Sequence, residues 1–265
     1  MEWKKGTFSD GVLEIHAKSW RGFVDYIQDE LSNYRAYIYR GQREPDWKLT
    51  PSIHRIEGIK TLKVDTLRSF KQASRGRRGS SPAKLNDDEW WAIGQHHGLK
   101  TPLLDWTESP FVAAFFAFAS GRPDKDLPKS RMVYAIAYQQ IKKKCEEIKK
   151  SGSNPTLGPG TTILGGLDAI DIISPLVDDN ARLVSQGGLF TKSLGLTHDI
   201  ETWVRRYFKG NDGAMMIKIA IIENLGDRNH FLRFLNRMNI NYLTLFPDLD
   251  GAARHCNMQL EIDNY

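Results

Sequence analysis

The chain has 265 residues, of which 40% are hydrophobic and 26% charged, with a net charge of +5. This balance is that of a chain able to bury a core, and it argues against a disordered or fibrous protein. Two cysteines, Cys145 and Cys256, are too few for a disulfide framework and lack zinc-site spacing. The opening MEWKKGTFSDGVLEIH has no apolar stretch suited to a signal peptide, and the longest apolar run, Phe111 to Ala119, falls well short of the roughly 20 residues of a membrane span. The expectation is a cytoplasmic protein with no membrane partner.

In chain order, Ser19 to Leu31 places Phe23, Tyr26, Ile27 and Leu31 at helical spacing. AYIYRG, residues 36–41, is aromatic and β-branched and predicts a strand ending at Arg40. Helices are predicted over Thr61 to Ala73 and Asp87 to His96. LKTPLLDW predicts a short strand, with Pro102 at its start or on an edge. Ser109 and Pro110 supply a cap and a first-turn proline for a buried helix from Phe111 to Ser120. RMVYAIAY predicts a strand, and Gln139 to Lys150 a basic helix. SGSNPTLGPGTT is a candidate hinge. ARLVSQGGLFT predicts a strand, with Gly187-Gly188 marking a bulge or a close backbone approach. IETWVRRYF predicts a helix, AMMIKIAII a strand, HFLRFLNRM a helix, and LDGAARHCNMQLEI a closing helix started by Asp248 or Asp250. Strands scattered among helices without a βαβ rhythm predict an α+β fold with a mixed or antiparallel central sheet, as one domain over residues 1–265.

Several residues could carry chemistry. Arg40 presents a planar, permanently charged fork suited to phosphate or carboxylate, and Gly41 would admit close approach of a ligand or backbone. A structural ion pair is the alternative for Arg40. His96 and His97 point about 100° apart on a helix, so they cannot act as an i, i+4 metal pair, and one of them suits acid–base or hydrogen-bonding work. Asp105, between Leu104 and Trp106, is expected to be partly buried and to need a partner, with Arg40 an attractive one. Gln186, ahead of two glycines, could direct its amide at a ligand or simply face outward. Asp105 and Glu108 together allow a metal-dependent nuclease as a further reading. The basic clusters at Lys71, Arg75, Arg77 and Arg78, and at Lys142 to Lys150, are either solvated faces or contacts for RNA or DNA. No Walker loop, GxSxG, GxGxxG or HExxH occurs.

Tyr39-Arg40-Gly41, Trp47-Lys48-Leu49-Thr50-Pro51-Ser52 with Arg55, QHHGLKTPLLDWTESPFVAAFFAF, RLVSQGGLF and LFPDLDG together resemble the FRG-domain family, over about residues 20–255. A more distant resemblance is to mono-ADP-ribosyltransferases of the arginine-serine-glutamate type, which implies an ADP-ribosyltransferase-like fold. There, an arginine ending an early strand helps hold NAD, as Arg40 would here. Thr101 to Phe118 corresponds to the second element, a strand followed by an Ala- and Phe-rich helix. The third, a Gln-x-Glu, matches Gln186-Gly187-Gly188 with glycine in the glutamate position, or Gln259-Leu260-Glu261 literally. The resemblance implies NAD as substrate and no metal. It also implies cofactor contacts from Tyr39, Arg40, Gly41, Gln42, His96, His97 and Thr101, and catalytic roles for Gln186, Asp105 or Glu261. An effector of toxin or phage-defence type is expected, with RNA or DNA as acceptor and an antitoxin or other regulatory protein as partner. A non-catalytic nucleotide- or phosphate-binding module is the competing expectation.

Overall fold

A computed structural model of the chain describes residues 2–32, 36–56, 65–78, 84–121, 123–127, 129–151, 168–174, 186–194 and 198–265. Eight strands form one sheet: β1 (Trp3–Ser9), β2 (Val12–Ala17), β3 (Tyr37–Gln42), β4 (Leu103–Thr107), β5 (Lys129–Ala137), β6 (Ile170–Ile173), β7 (Gly188–Ser193) and β8 (Met216–Glu223). Their order is β1-β2-β8-β5-β3-β4-β7-β6, with β2 and β8 parallel and every other neighbouring pair antiparallel. The predicted α+β class with a mixed sheet is therefore found. The 151–162 hinge falls largely outside the described residues.

The helices are α1 (Trp20–Tyr26, continued by a π-helical turn Ile27–Leu31), α2 (Thr66–Ala73), α3 (Asp87–His96), α4 (Pro110–Phe118), α5 (Tyr138–Ser151), α6 (Ile200–Tyr207), α7 (Asp227–Arg237), α8 (Tyr242–Leu245) and α9 (Leu249–Glu261). None of the described helices is long and apolar enough to cross a membrane. On one face of the sheet α1, α4 and α7 bury Phe23, Phe115, Phe118 and Phe231 against Val133 and Ile219. On the other, α5 and α6 bury Ile141, Cys145 and Trp203 against Ile38, Tyr134 and Met216. Each such fully buried large side chain stabilises by about 1.5–3 kcal/mol relative to exposure.

Two features of this frame decide where the site lies. Strands β3 and β4 share only the Tyr39–Thr107 pair, whereas β3 and β5 match over six. The sheet therefore parts between β3 and β4. Second, α4 starts as the sequence predicts, with the Ser109 hydroxyl accepting from the Val112 amide and Pro110 in the first turn. This helix crosses β3 so closely that a Cβ on Gly41 would lie 1.8 Å from the Ala113 carbonyl oxygen. Only glycine fits there. The far end of α4 is held by buried Arg131, which pairs with Glu223 at 2.6 Å and donates to the Ala117 and Ser120 carbonyls.

Candidate functional site

Tyr39, Arg40 and Gly41 from β3, Asp105, Trp106 and Thr107 from β4, and Gln186 beside β7 come together where the sheet parts. Ala92, Gln95 and His96 from α3, Ala113 and Phe116 from α4, and Phe190 and Phe246 close a cavity of about 360 Å³. Its walls are mainly apolar and aromatic with a few convergent polar groups, the usual make-up of a small-molecule site.

Strand β3 runs two residues beyond Arg40, through Gly41 to Gln42, so Arg40 lies within the strand and not at its end. The guanidinium spans the gap to β4, where Nη1 donates to the Asp105 carbonyl oxygen at 2.8 Å and meets the carboxylate Oδ2 at 3.5 Å. Arg40 Nε is buried without a hydrogen-bond partner among the described residues. A buried cationic donor left over in this way is costly unless something supplies an acceptor.

Asp105 departs from expectation in one respect: its side chain is 60% exposed, because it points into the open cavity while Leu104 and Trp106 point into the core. The expected arginine partner is present. A second partner is Gln95, whose Nε2 donates to Asp105 Oδ1 at 2.6 Å. Gln95 is in turn oriented by Thr101, whose hydroxyl donates to the Gln95 Oε1. Thr101 is fully buried and works through Gln95, without lining the cavity. Ring burial, and then Tyr37, push the Tyr39 hydroxyl up to about 12, so it stays protonated at neutral pH.

Gln186 is placed by its backbone and its side chain together. Its carbonyl accepts from the Thr107 hydroxyl at 2.6 Å, and its Nε2 donates to the Leu245 carbonyl at 3.0 Å. The two glycines do not form a bulge inside a strand. Gly187 has φ +55°, the left-handed conformation, and β7 begins at Gly188, which pairs with Thr107. Residues 181–185 of the expected strand lie outside the described residues.

The other expected residues divide. His96 lines the cavity, while His97 sits exposed in the turn after α3, its ring 4.8 Å from that of His96. Gln42 is buried, with its Oε1 unpartnered among the described residues, but does not line the cavity. Glu108 does not line it either. Glu261 is at the end of α9, paired with Arg228 at 2.9 Å, and is not brought to the cavity. Of the described lining residues Asp105 is the one carboxylate. Among the described residues no group of three histidine, cysteine or acidic side chains is arranged to hold a metal ion.

The aromatic wall of Phe116, Phe190 and Phe246 was given no role by sequence, nor was Gln95, although it was grouped with His96 and His97. Gln95 carried a signal, since it precedes the two histidines on the same helix. Phe246 belongs to the LFPDLDG motif, but its place at the cavity is set by the packing of α8 against α4, where its ring meets Phe116 at 6.0 Å.

Comparison with known proteins gives one family: residues 35–126 match the FRG domain. That stretch contains β3, the Ser52–Arg55 turn, α2, α3, β4 and α4, and so supplies most of the cavity, although not Gln186, Phe190 or Phe246. No curated protein and no solved structure matches the chain.

Proposed function

With an FRG domain over residues 35–126 as premise, we propose that the cavity binds NAD and that the protein transfers its ADP-ribosyl group to an acceptor. The observation that carries this reading is convergence. Arg40 and Asp105 come from β3 and β4, Gln186 lies two residues ahead of β7, these strands are three consecutive members of the sheet, and the three residues meet at one cavity. These are the three elements, in the same order, on which the resemblance to mono-ADP-ribosyltransferases rests.

In this reading Arg40 binds the anionic part of the dinucleotide, and the aromatic wall takes a flat ring. The N-glycosidic bond breaks with its electron pair leaving on nicotinamide, and the ribose carbon becomes an oxocarbenium ion. The Asp105 carboxylate, kept in place by Gln95 and Arg40, faces that positive charge. An acceptor nucleophile then forms the new bond to the ribose carbon and gives up its proton. Asp105 takes the part of the absent glutamate, since Gly188 stands at the Gln-x-Glu position. The net charge of +5 suits an RNA or DNA acceptor. A role as a toxin or phage-defence effector, held in check by a regulatory protein, is consistent with such an activity.

The second reading, a nucleotide-binding module without chemistry, is favoured by that same glycine and by the double tethering of Asp105. Incubation with NAD labelled in its adenylate part, together with RNA, DNA or cell lysate, separates the two. Transfer is expected from the native protein, reduced about tenfold to a hundredfold or more by Arg40→Ala, as for loss of a charge-assisted contact. Saturable NAD binding with no released nicotinamide and no labelled fraction would favour the binding module.

A further inference from the structure

The two basic stretches of the sequence have different fates in the fold, and the difference points to a second binding surface. Around α2 most of the cations are engaged within the protein. Lys71 pairs with Asp87 at 2.6 Å, Arg77 donates to the Ala73 carbonyl at 2.6 Å, and the Arg78 guanidinium lies 4.9 Å over the Trp90 ring. The outer lysines of α5 are not engaged in this way. This helix buries Ile141, Cys145 and Ile148, which turns Lys143 and Lys150, two turns apart, out to solvent.

Beside them, α5 and the turn that follows α6 enclose an open recess of about 380 Å³. Gln140, Lys143, Lys144 and Glu147 line it from the helix, and Phe208, Lys209 and Asn211 from the turn. Among the described residues, the Lys143 and Lys209 ammonium groups and the Gln140 amide have no hydrogen-bond or ion-pair partner. The turn is pre-formed. Gly210 takes the left-handed conformation at φ +71°, the Asn211 amide donates to the Phe208 carbonyl at 3.1 Å, and Asn211 Oδ1 accepts from the Gly213 amide at 2.7 Å. This leaves Asn211 Nδ2 as a spare donor.

Lys144 is paired with Glu147 at 2.7 Å. The hydrogen bond from Lys144, and after it the charges of Lys144, Lys143 and Lys150, lower the Glu147 proton affinity, so this carboxylate sits in a positive field. Asp10, which accepts from the Gly210 amide at 3.4 Å, and Asp212 do not line the recess. The described lining thus sets three ammonium groups against one carboxylate, with amide donors among them. It shares no residue with the cavity between β3 and β4.

From this arrangement we infer that the α5 recess binds the phosphate backbone of a nucleic-acid strand and anchors that strand for reaction at the cavity. Ammonium groups without a protein partner gain most from phosphates, because each contact releases a counterion condensed on the strand. A strand is favoured over a single phosphate because Lys143 and Lys150 continue the positive surface along α5 beyond the recess. Lysine is a point charge without a planar fork, so such contacts hold a backbone whatever its base sequence. Helix α5 packs on the sheet face opposite α4, so the recess grips the strand away from the reacting carbon. The inference rests on the proposed transferase reading for calling the strand an acceptor, but not for the binding itself.

The test measures binding of a labelled single-stranded RNA, the DNA of the same sequence, ADP and inorganic phosphate to the full chain over a series of salt concentrations. The proteins are native, Lys143→Gln with Lys209→Gln, the same pair changed to Arg, and Arg75→Gln. The expected result is strand binding by the native protein that weakens linearly, on logarithmic axes, as salt rises. The paired Gln variant should weaken it about tenfold or more and lower the salt slope by about 1 to 2, the share of two phosphate contacts. The paired Arg variant should keep the binding, and Arg75→Gln should change it far less than the paired Gln variant does. No strand binding by the native protein at low salt, or equal affinity and slope in the paired Gln variant, overturns the inference. Lysine-dependent binding of ADP or phosphate without strand binding overturns the strand as occupant. Strand binding lost in the paired Gln variant, with no ADP-ribosyl transfer by the native protein, supports the surface and overturns the transferase reading. Transfer to protein fractions without any strand binding overturns the surface and leaves the transferase reading standing.

Discussion

Asp105 accepts from Gln95 on one carboxylate oxygen and meets Arg40 on the other, so its direction is set by two protein groups although the side chain is largely exposed. Orientation of this kind affects the reacting geometry more than it affects the affinity for substrate. Gln95→Leu should therefore lower the rate of nicotinamide release by about tenfold while changing NAD affinity several-fold less. Steady-state release rates set beside equilibrium binding would show the split, and a purely structural role for Gln95 would move both together. Arg40 and Asp105 could be read from the sequence because each breaks a local pattern, a charge within a short aromatic strand and a carboxylate between two core residues. Their contact could not, since it depends on β3 and β4 parting after one residue pair. The exposure of Asp105 has the same cause: the alternation along β4 was legible, but not the fact that its outward face opens onto a cavity.

At the scale of elements, the closest approach in the site is between β3 and α4. A methyl group at residue 41 has no room beside the Ala113 carbonyl, and backbone cannot step aside as a flexible side chain can. Gly41→Ala should cost about 1–3 kcal/mol of stability, the usual price of overpacking, and should lift α4 from the cavity wall. Chemical denaturation compared with native protein would measure this, and an unchanged midpoint would refute the packing argument. The α4 helix was readable almost to the residue because its cap, its first-turn proline and its apolar run agree. The strands β1 and β2 were not foreseen. Strand β1 is exposed along nearly all its length, so WKKGTFS shows no alternation, and its place is set by pairing with β2. Strand β6 is only four residues long, too short for a periodic signal.

For the whole molecule, the described residues form a large core on each face of the sheet and a small third cluster of Ala92, Leu103 and Phe190, of which Ala92 and Phe190 line the cavity. The segment from Leu49 to Arg55 is strapped across to the start of α6. The Leu49 amide donates to Asp199, the Ile200 amide donates to the Leu49 carbonyl, and the rings of His54 and His198 stack at 3.5 Å and 8°. Burial, then the neighbouring His198, push His54 down from 6.5 to about 4, and burial also lowers His198. Both folded values lie below those of the unfolded chain, so the unfolded state takes up protons first. Stability from this stack is fully present above about pH 6.5 and declines as the pH falls toward 4. Melting curves at pH 7.5, 6 and 5 should show a falling midpoint, flattened in His54→Phe, whereas an equal fall in both proteins would place the sensitivity elsewhere. Sequence placed these histidines far apart and offered no reason to pair them, because only the folded sheet brings the two loops together.

The central claim is that the meeting point of Arg40, Asp105 and Gln186 is a site for NAD. It is tested most directly by titrating native protein and Arg40→Ala with NAD under identical conditions, following equilibrium binding. The account predicts saturable binding at a single site in the native protein, weakened about tenfold or more by the substitution. Native protein that shows no saturable NAD binding, or Arg40→Ala that binds NAD as tightly as the native chain, would contradict it.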